Sequence, residues 1–137
     1  MKKTGAVCIF ILVFILGALP IIGEKGDQPE KIAIASDGET MDSQVGKQGA
    51  RCQWLLFFNE DGELTETLEN PYWQQRGSAG ISCAELLAEK KVTVFVAGNI
   101  GNKMAAVLDE KDIKFISHSG TVEDAIAHIL ENMTKKS

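Results

Sequence analysis

The chain has 137 residues, 45% of them hydrophobic, which suffices for one globular domain with a buried core. It carries 19 acidic against 14 basic residues, a formal net charge of −5 at pH 7. Proteins that bind nucleic acids need clustered Lys and Arg to displace phosphate counterions, so this balance argues against a nucleic-acid partner.

The first 23 residues predict an export signal or a membrane anchor. Lys2 and Lys3 precede an apolar run from Ala6 to Gly23, which is the arrangement of a secretory signal. The run has about 18 residues, the lower limit for a helix that spans a membrane. Cleaved export is favoured over an uncleaved anchor. Both outcomes predict an exported domain, either periplasmic or held at the outer face of the cytoplasmic membrane.

Three strands are predicted at the start of the folded domain, which follows a polar linker over residues 24–30. Residues 31–36 form an apolar run that predicts a buried strand, and Asp37-Gly38 ends it with a turn. Residues 39–53 lack a clear period and predict a loop. Residues 54–58 and 64–69 predict the second and third strands, joined by a hairpin at Asn59-Glu-Asp-Gly62.

Helices and strands alternate in the second half of the domain. Residues 77–80 predict a loop, and Ser82 with Glu85 predicts a capping box that begins a helix ending near Lys90. Residues 92–97 and 114–117 predict strands, each followed by a helix, and Thr121 and Asp124 are expected to cap the last one. The domain is expected to end at residue 132, with a tail over 133–137.

The resulting order, β-β-β-α-β-α-β-α, predicts an α/β fold with a mixed sheet and flanking helices. Strands that alternate with helices become parallel through right-handed crossovers. The arrangement predicted for this chain is therefore similar to that of ribonuclease H.

Ligands of open α/β sheets bind beyond the carboxyl ends of the parallel strands. Three loops are expected at that edge, over residues 36–38, 98–101 and 118–120, and two of them lead into helices. The amide groups of helix amino termini attract anions, and glycine lets a ligand approach the backbone. Gly98 and Gly101 can equally serve only a tight turn. The candidate ligand-binding residues in these loops are Asp37, Gly98, Asn99, Gly101, Ser119 and Gly120.

Two side chains are candidate metal ligands. His118 lies at a strand-to-helix turn and can offer an imidazole, although an ordinary loop histidine is the slightly favoured interpretation. Cys52 can offer a thiolate, or it can pair with Cys83 in a disulfide. Met104 fits an apolar helix stripe better than a ligand set, and His128 falls off the stripe of the last helix and is expected in solvent.

The order of several short segments resembles the NifX/NifB-type family of iron–molybdenum cofactor domains. The similarity covers nearly all of residues 31–130. The segments that carry it are residues 31–38, 42–45, 50–52, 69–71, 80–81, 86–88, 96–101 and 120–125.

This resemblance implies a ribonuclease H-like domain that carries an iron–molybdenum cofactor or an iron–sulfur precursor and does not act as an enzyme. Many members have a His-Phe-Gly-Arg segment where this chain has Gln48-Gly-Ala-Arg51, so Arg51 matches while the histidine is missing. Cys52 follows Arg51 and can supply a thiolate in its place. Nitrogenase cofactor assembly is cytoplasmic, whereas this chain is predicted to be exported. This difference favours a divergent metal-binding role.

Three hypotheses follow from the sequence. The first is a non-catalytic binding or carrier domain for a metal cluster or small anionic ligand, with Cys52 and His118 as metal ligands. The second is a ribonuclease H-like metal-dependent hydrolase that uses Asp37 and Asp42. The third is an interaction domain tethered to the membrane through residues 1–23, with no cofactor.

Overall fold

The computed structural model describes residues 29–136, so the predicted signal or anchor and most of the linker lie outside the described residues. The described chain follows the predicted order β-β-β-α-β-α-β-α. Its elements are β1 (Ile32–Ser36), β2 (Trp54–Phe58), β3 (Leu64–Glu69), α1 (Ala79–Glu89), β4 (Val94–Ala97), α2 (Asn102–Glu110), β5 (Lys114–Ser117) and α3 (Val122–Lys136).

The five strands form one mixed sheet with the order β3-β2-β1-β4-β5. Strand β1 is antiparallel to β2 and parallel to β4, while β3 is antiparallel to β2 and β5 is parallel to β4. The mixed α/β sheet predicted from the sequence is confirmed. Its three parallel strands end at one edge, where the loops that follow β1, β4 and β5 emerge.

Helices cover both faces of the sheet and divide the core into two clusters. Alternate residues of β1 belong to different clusters, since Ala33 and Ala35 face one side and Ile32 and Ile34 the other. Helices α1 and α2 pack on the first side, through residues such as Leu87. Helix α3 packs on the second side through Val122, Ala125, Ile126 and Ile129, the apolar stripe expected from the sequence.

Two predicted turns are confirmed in detail. The Asn59 side-chain oxygen accepts the backbone N–H groups of Asp61 and Glu63 at 2.9 and 3.0 Å, and Gly62 supplies a φ of 85° in the β2–β3 hairpin. The Thr121 hydroxyl accepts the Asp124 N–H at 3.1 Å at the start of α3. These contacts are local in sequence, which is why the pattern predicted them.

The start of α1 differs from the prediction. The helix begins at Ala79, three positions before the expected capping box, and the Ser82 N–H donates to the Ser78 carbonyl at 3.0 Å inside it. Gly80 lies inside the helix and close to α2, since a Cβ on Gly80 would be 3.0 Å from the Cβ of Met104. The small residues at 77–80 therefore serve close helix packing as well as a turn.

Helix α3 continues to Lys136, past the domain boundary expected at residue 132. Between residues 29 and 136, no helix is both long enough and apolar enough to cross a lipid bilayer.

Candidate functional site

A cleft of about 370 Å³ opens at the carboxyl edge of the parallel strands, on the face covered by α1 and α2. Three backbone segments surround it: the loop before β2, the amino terminus of α1, and the turn from β4 into α2. We call it the anion cleft. It is lined by Gln48, Gly49, Ala50, Arg51, Ser78, Ala79, Gly80, Ile81, Asn99, Gly101, Asn102, Lys103 and Met104.

Backbone contacts fix the loop before β2 against the turn into α2. The Gly98 N–H donates to the Gly46 carbonyl at 2.8 Å, and the Gly49 N–H donates to the Asn99 carbonyl at 2.9 Å. A Cβ on Gly98 would lie 3.1 Å from backbone atoms of Gly46 and Lys47. Gly98 therefore lets two backbone segments touch, and that contact forms one wall of the cleft.

Asn70 ties the same loop to the segment that leads into α1. Its side chain is fully buried, and its amide nitrogen donates to the carbonyls of Ala50 and Cys52 at 3.0 and 2.9 Å. Its oxygen accepts the Tyr72 N–H at 3.0 Å. Since a buried amide needs such partners, Asn70 fixes the position of the loop that carries Arg51.

The amino termini of α1 and α2 both open into the anion cleft. Their N-cap residues, Ser78 and Gly101, form no side-chain cap hydrogen bond, and neither helix has an acidic residue in its first turn. The first-turn amides, of residues 79–81 and 102–104, have no hydrogen-bond acceptor among the described residues. All six residues line the cleft, so unsatisfied N–H groups and two helix dipoles converge there.

The charged side chains of the cleft are both cations. Arg51 and Lys103 are exposed at its wall, and no acidic residue is among those that line it. The Arg51 guanidinium donates to the Gln75 carbonyl, which holds it beside the entry to α1. This positive site lies in a chain whose net charge is −5, so the cleft favours an anion against the overall charge.

The structure brings together three of the residues expected to bind a ligand: Arg51, Asn99 and Gly101 line the anion cleft. Gly98 lies behind them as a packing residue. Asp37, Ser119 and Gly120 do not line it. Gly120, with a φ of 125°, joins β5 to α3 and accepts the Val45 N–H at 2.8 Å.

Sequence reasoning missed Lys103 and the α1 amino terminus as parts of this site. Lys103 lies two residues after Gly101, in the first turn of the predicted second helix. That position could have identified it as a candidate anion-binding residue. The α1 contribution was hidden because residues 77–80 were expected to form only a flexible loop.

Cys52 is buried beneath the loop and does not line the cleft. Its thiol donates to the Gly49 carbonyl at 3.4 Å, and burial raises its pKa from 9.0 to about 11. Burial likewise raises the pKa of Cys83 to about 12, and both thiols are free. Neither thiol is poised to ionise at neutral pH, so the structure favours a packing role for Cys52 over the metal-ligand role expected from the sequence.

The structure does not bring Cys52 and His118 together, although the sequence predicted them as ligands of one metal centre. Cys52 belongs to the core cluster under α1 and α2, whereas the His118 ring contacts His128 on α3, which covers the opposite face of the sheet. Within residues 29–136, no group of three or more His, Cys, Asp and Glu side chains is placed to hold a metal ion.

The fold and the site together define a class of protein. It is an α/β domain whose sheet is covered by helices on both faces and whose strand ends carry a cleft suited to an anion. The model of the dinitrogenase iron-molybdenum cofactor family matches residues 30–132. The chain belongs to this family, as the order of its sequence motifs predicted. No curated protein matches the sequence significantly.

Solved structures with similar folds support the architecture. The apo form of the orange protein from Desulfovibrio gigas has a TM-score of 0.71 at 23% identity, covering 77% of this chain and 90% of that one. A candidate NifB protein from Thermotoga has a TM-score of 0.64 at 28% identity, covering 74% and 88%. A candidate dinitrogenase from Methanocaldococcus jannaschii has a TM-score of 0.55 at 19% identity, covering 77% and 91%.

The two glycines of the turn into α2 should respond differently to alanine. Gly98→Ala should lower the free energy of unfolding by about 1–3 kcal/mol, because its methyl group would press on backbone that cannot move freely. Gly101→Ala should leave it nearly unchanged, since Gly101 has a φ of −65° and no atom within 4 Å of its Cβ position. Urea unfolding of the two variants measures both free energies of unfolding. Equal decreases in the two variants would contradict this account.

The buried thiols should make the fold less stable in alkali. The unfolded chain loses thiol protons above pH 9.0, while folded Cys52 keeps its proton to about pH 11. Stability from this group is therefore complete below pH 9.0 and is lost as the pH rises to about 11. Each pKa unit corresponds to about 1.4 kcal/mol, so Cys52 alone should lower the free energy of unfolding by about 2–3 kcal/mol over this pH interval.

Urea unfolding in reducing buffer at several pH values from 8 to 11 tests this dependence of the free energy of unfolding on pH. The matched control is a Cys52→Ala, Cys83→Ala double variant, which should lose clearly less stability over the same interval. Parallel curves for the two proteins would show that the thiols do not cause the effect.

Proposed function

We propose that this protein is a non-catalytic carrier for an anionic metal–sulfur cluster of the iron–sulfur or iron–molybdenum type, in an extracytoplasmic setting. The observation that carries the proposal is the anion cleft, where six first-turn amides and two cations converge without an acidic residue. Membership in the dinitrogenase iron-molybdenum cofactor family supports the choice of cargo.

The donor set of the cleft suits an anion that is held by charge. Its lining residues include neither cysteine nor histidine, and its one sulfur belongs to Met104, which is buried against Gly49 and Gly80. Backbone amides, Arg51 and Lys103 can hydrogen-bond to the outer sulfides or oxygens of a cluster. Such binding orients the cargo without forming metal–protein bonds.

We further infer a ribonuclease H-like relationship from the strand order β3-β2-β1-β4-β5 with β2 antiparallel to its neighbours. A hydrolase of that fold would need several converging carboxylates. Asp37 and Asp42 are exposed, and the Asp42 carboxylate accepts a hydrogen bond from Thr40. Within residues 29–136, no three such side chains are placed together to hold a metal ion, so the geometry favours a carrier over the metal-dependent hydrolase.

Tetrathiomolybdate, a molybdenum–sulfur dianion, is a direct probe of the anion cleft. Binding to the full-length chain should weaken about fivefold to tenfold in Arg51→Gln and in Lys103→Gln, because each removes one charge-assisted contact. Raising the salt concentration should also weaken the binding of tetrathiomolybdate to the wild-type protein. Titration followed by the probe's visible absorption gives the affinities.

Arg76→Gln is the matched control, since Arg76 is exposed near the α1 entry but does not line the cleft. It should retain wild-type affinity. A loss in Arg76→Gln equal to that in Arg51→Gln would mean that general charge, not the cleft, attracts the probe.

Export is supported by the sequence of residues 1–23 alone. We expect mass spectrometry of the protein from the host envelope to show a chain that begins near residue 24, as cleavage after the apolar run would produce. An intact Met1 in the membrane fraction would instead favour the tethered form, and a soluble cytoplasmic full-length chain would refute both.

A further inference from the structure

The two histidines of the chain meet on the face of the sheet opposite the anion cleft. His118 follows β5 and His128 lies on α3, and their ring centres are 5.7 Å apart with planes tilted by 34°. Gly120, with its φ of 125°, lies in the turn that connects β5 to α3. The sequence predicted that His128 is solvent-exposed, as it is, but did not predict that His128 contacts His118.

One nitrogen of this pair lacks a partner. The Nε2 atom of His118 is buried, and no hydrogen-bonding group among the described residues reaches it. A simple contact between two aromatic rings does not account for that atom, because buried polar atoms normally have a partner. The His128 Nε2 atom lies 3.3 Å from the Asn132 side-chain amide, one helical turn further along α3.

The orphaned nitrogen and a carboxylate both lie near Gly120. A Cβ built on Gly120 would lie 3.6 Å from His118 Nε2 and 3.3 Å from the Asp124 Oδ2 atom. Both atoms therefore border the space that the glycine leaves open. Asp124 and His128 are four residues apart on α3, so they lie on the same side of the helix.

The spacing of the imidazoles suits a shared metal ion. Two imidazoles that ligate one Zn²⁺ through Zn–N bonds of about 2.0 Å have ring centres roughly 5 to 6 Å apart. The observed separation of 5.7 Å falls in this interval. Neutral imidazole is a preferred ligand of zinc, copper and nickel, whereas calcium and magnesium prefer oxygen ligands.

We propose that His118 and His128 form a binding site for a divalent late first-row transition-metal ion such as Zn²⁺. The two neutral imidazoles are the protein ligands, and water fills the remaining positions. The Asp124 carboxylate, on the same side of α3, adds negative charge near the ion without being one of its ligands. The site is separate from the anion cleft and does not depend on the proposed carrier function. It needs no thiolate, in keeping with the buried thiol of Cys52.

Zinc titration of the full-length chain at neutral pH, in competition with a chromophoric chelator, tests the proposal. The wild-type protein should bind one Zn²⁺ at this site, and His118→Gln and His128→Gln should each weaken binding at least tenfold. Asp124→Asn should weaken it by a smaller factor. Glu123→Gln is the matched control, because it removes a neighbouring charge from the same first turn of α3.

The histidine ring proton resonances should shift together as Zn²⁺ is added, reaching a plateau at one ion per chain. His128 is exposed, so His128→Gln should fold normally and decides the question even if His118→Gln does not fold. Wild-type affinity in His128→Gln would overturn the proposal. So would histidine resonances that respond to pH but not to zinc, which would leave only a contact between two imidazoles.

Discussion

Burial of both faces of the central strands is the constraint on which the rest of the structure depends. The five residues of β1 are all buried, and its side chains point alternately into two separate clusters. Such a strand is stable only if helices cover the sheet on both sides. The chain meets this need with crossovers that place α1 and α2 on one face and α3 on the other.

The same crossovers determine where function can reside. Parallel strands β1, β4 and β5 end at one edge, and the segments that follow β4 and β5 each enter a helix there. Strand β3 runs in the same direction as β1, because both are antiparallel to β2, so it also ends at this edge. The segment after β3 therefore brings the amino terminus of α1 beside that of α2. Two helix dipoles and their unsatisfied amides thus meet because of topology, and Arg51 and Lys103 add charge to that arrangement.

Local sequence patterns predicted the elements well and their contacts poorly. The bounds of β2, β3 and β5 agree with the prediction, because hairpin and turn residues lie next to the strands they bound. The start of α1 was missed because the small residues 77–80 predict a loop, whereas Gly80 packs against Met104, a contact between residues distant in sequence. The pairing of His118 with His128 depends likewise on how a turn folds back onto a helix, which periodicity does not encode.

The interpretation of Cys52 shows most clearly why types of residue alone mislead. A thiol next to a matched arginine predicts a soft metal ligand, yet the loop turns that thiol inward, where burial raises its pKa to about 11. The wall of the anion cleft offers amides and cations, which suit the proposed anionic cargo and require no ligand exchange at a metal. A carrier must release its cargo, and dissociation from hydrogen bonds and charge requires no metal–sulfur bond to break. The burial of Cys52 is therefore compatible with reversible transport, whereas a permanent cofactor site would favour ligation.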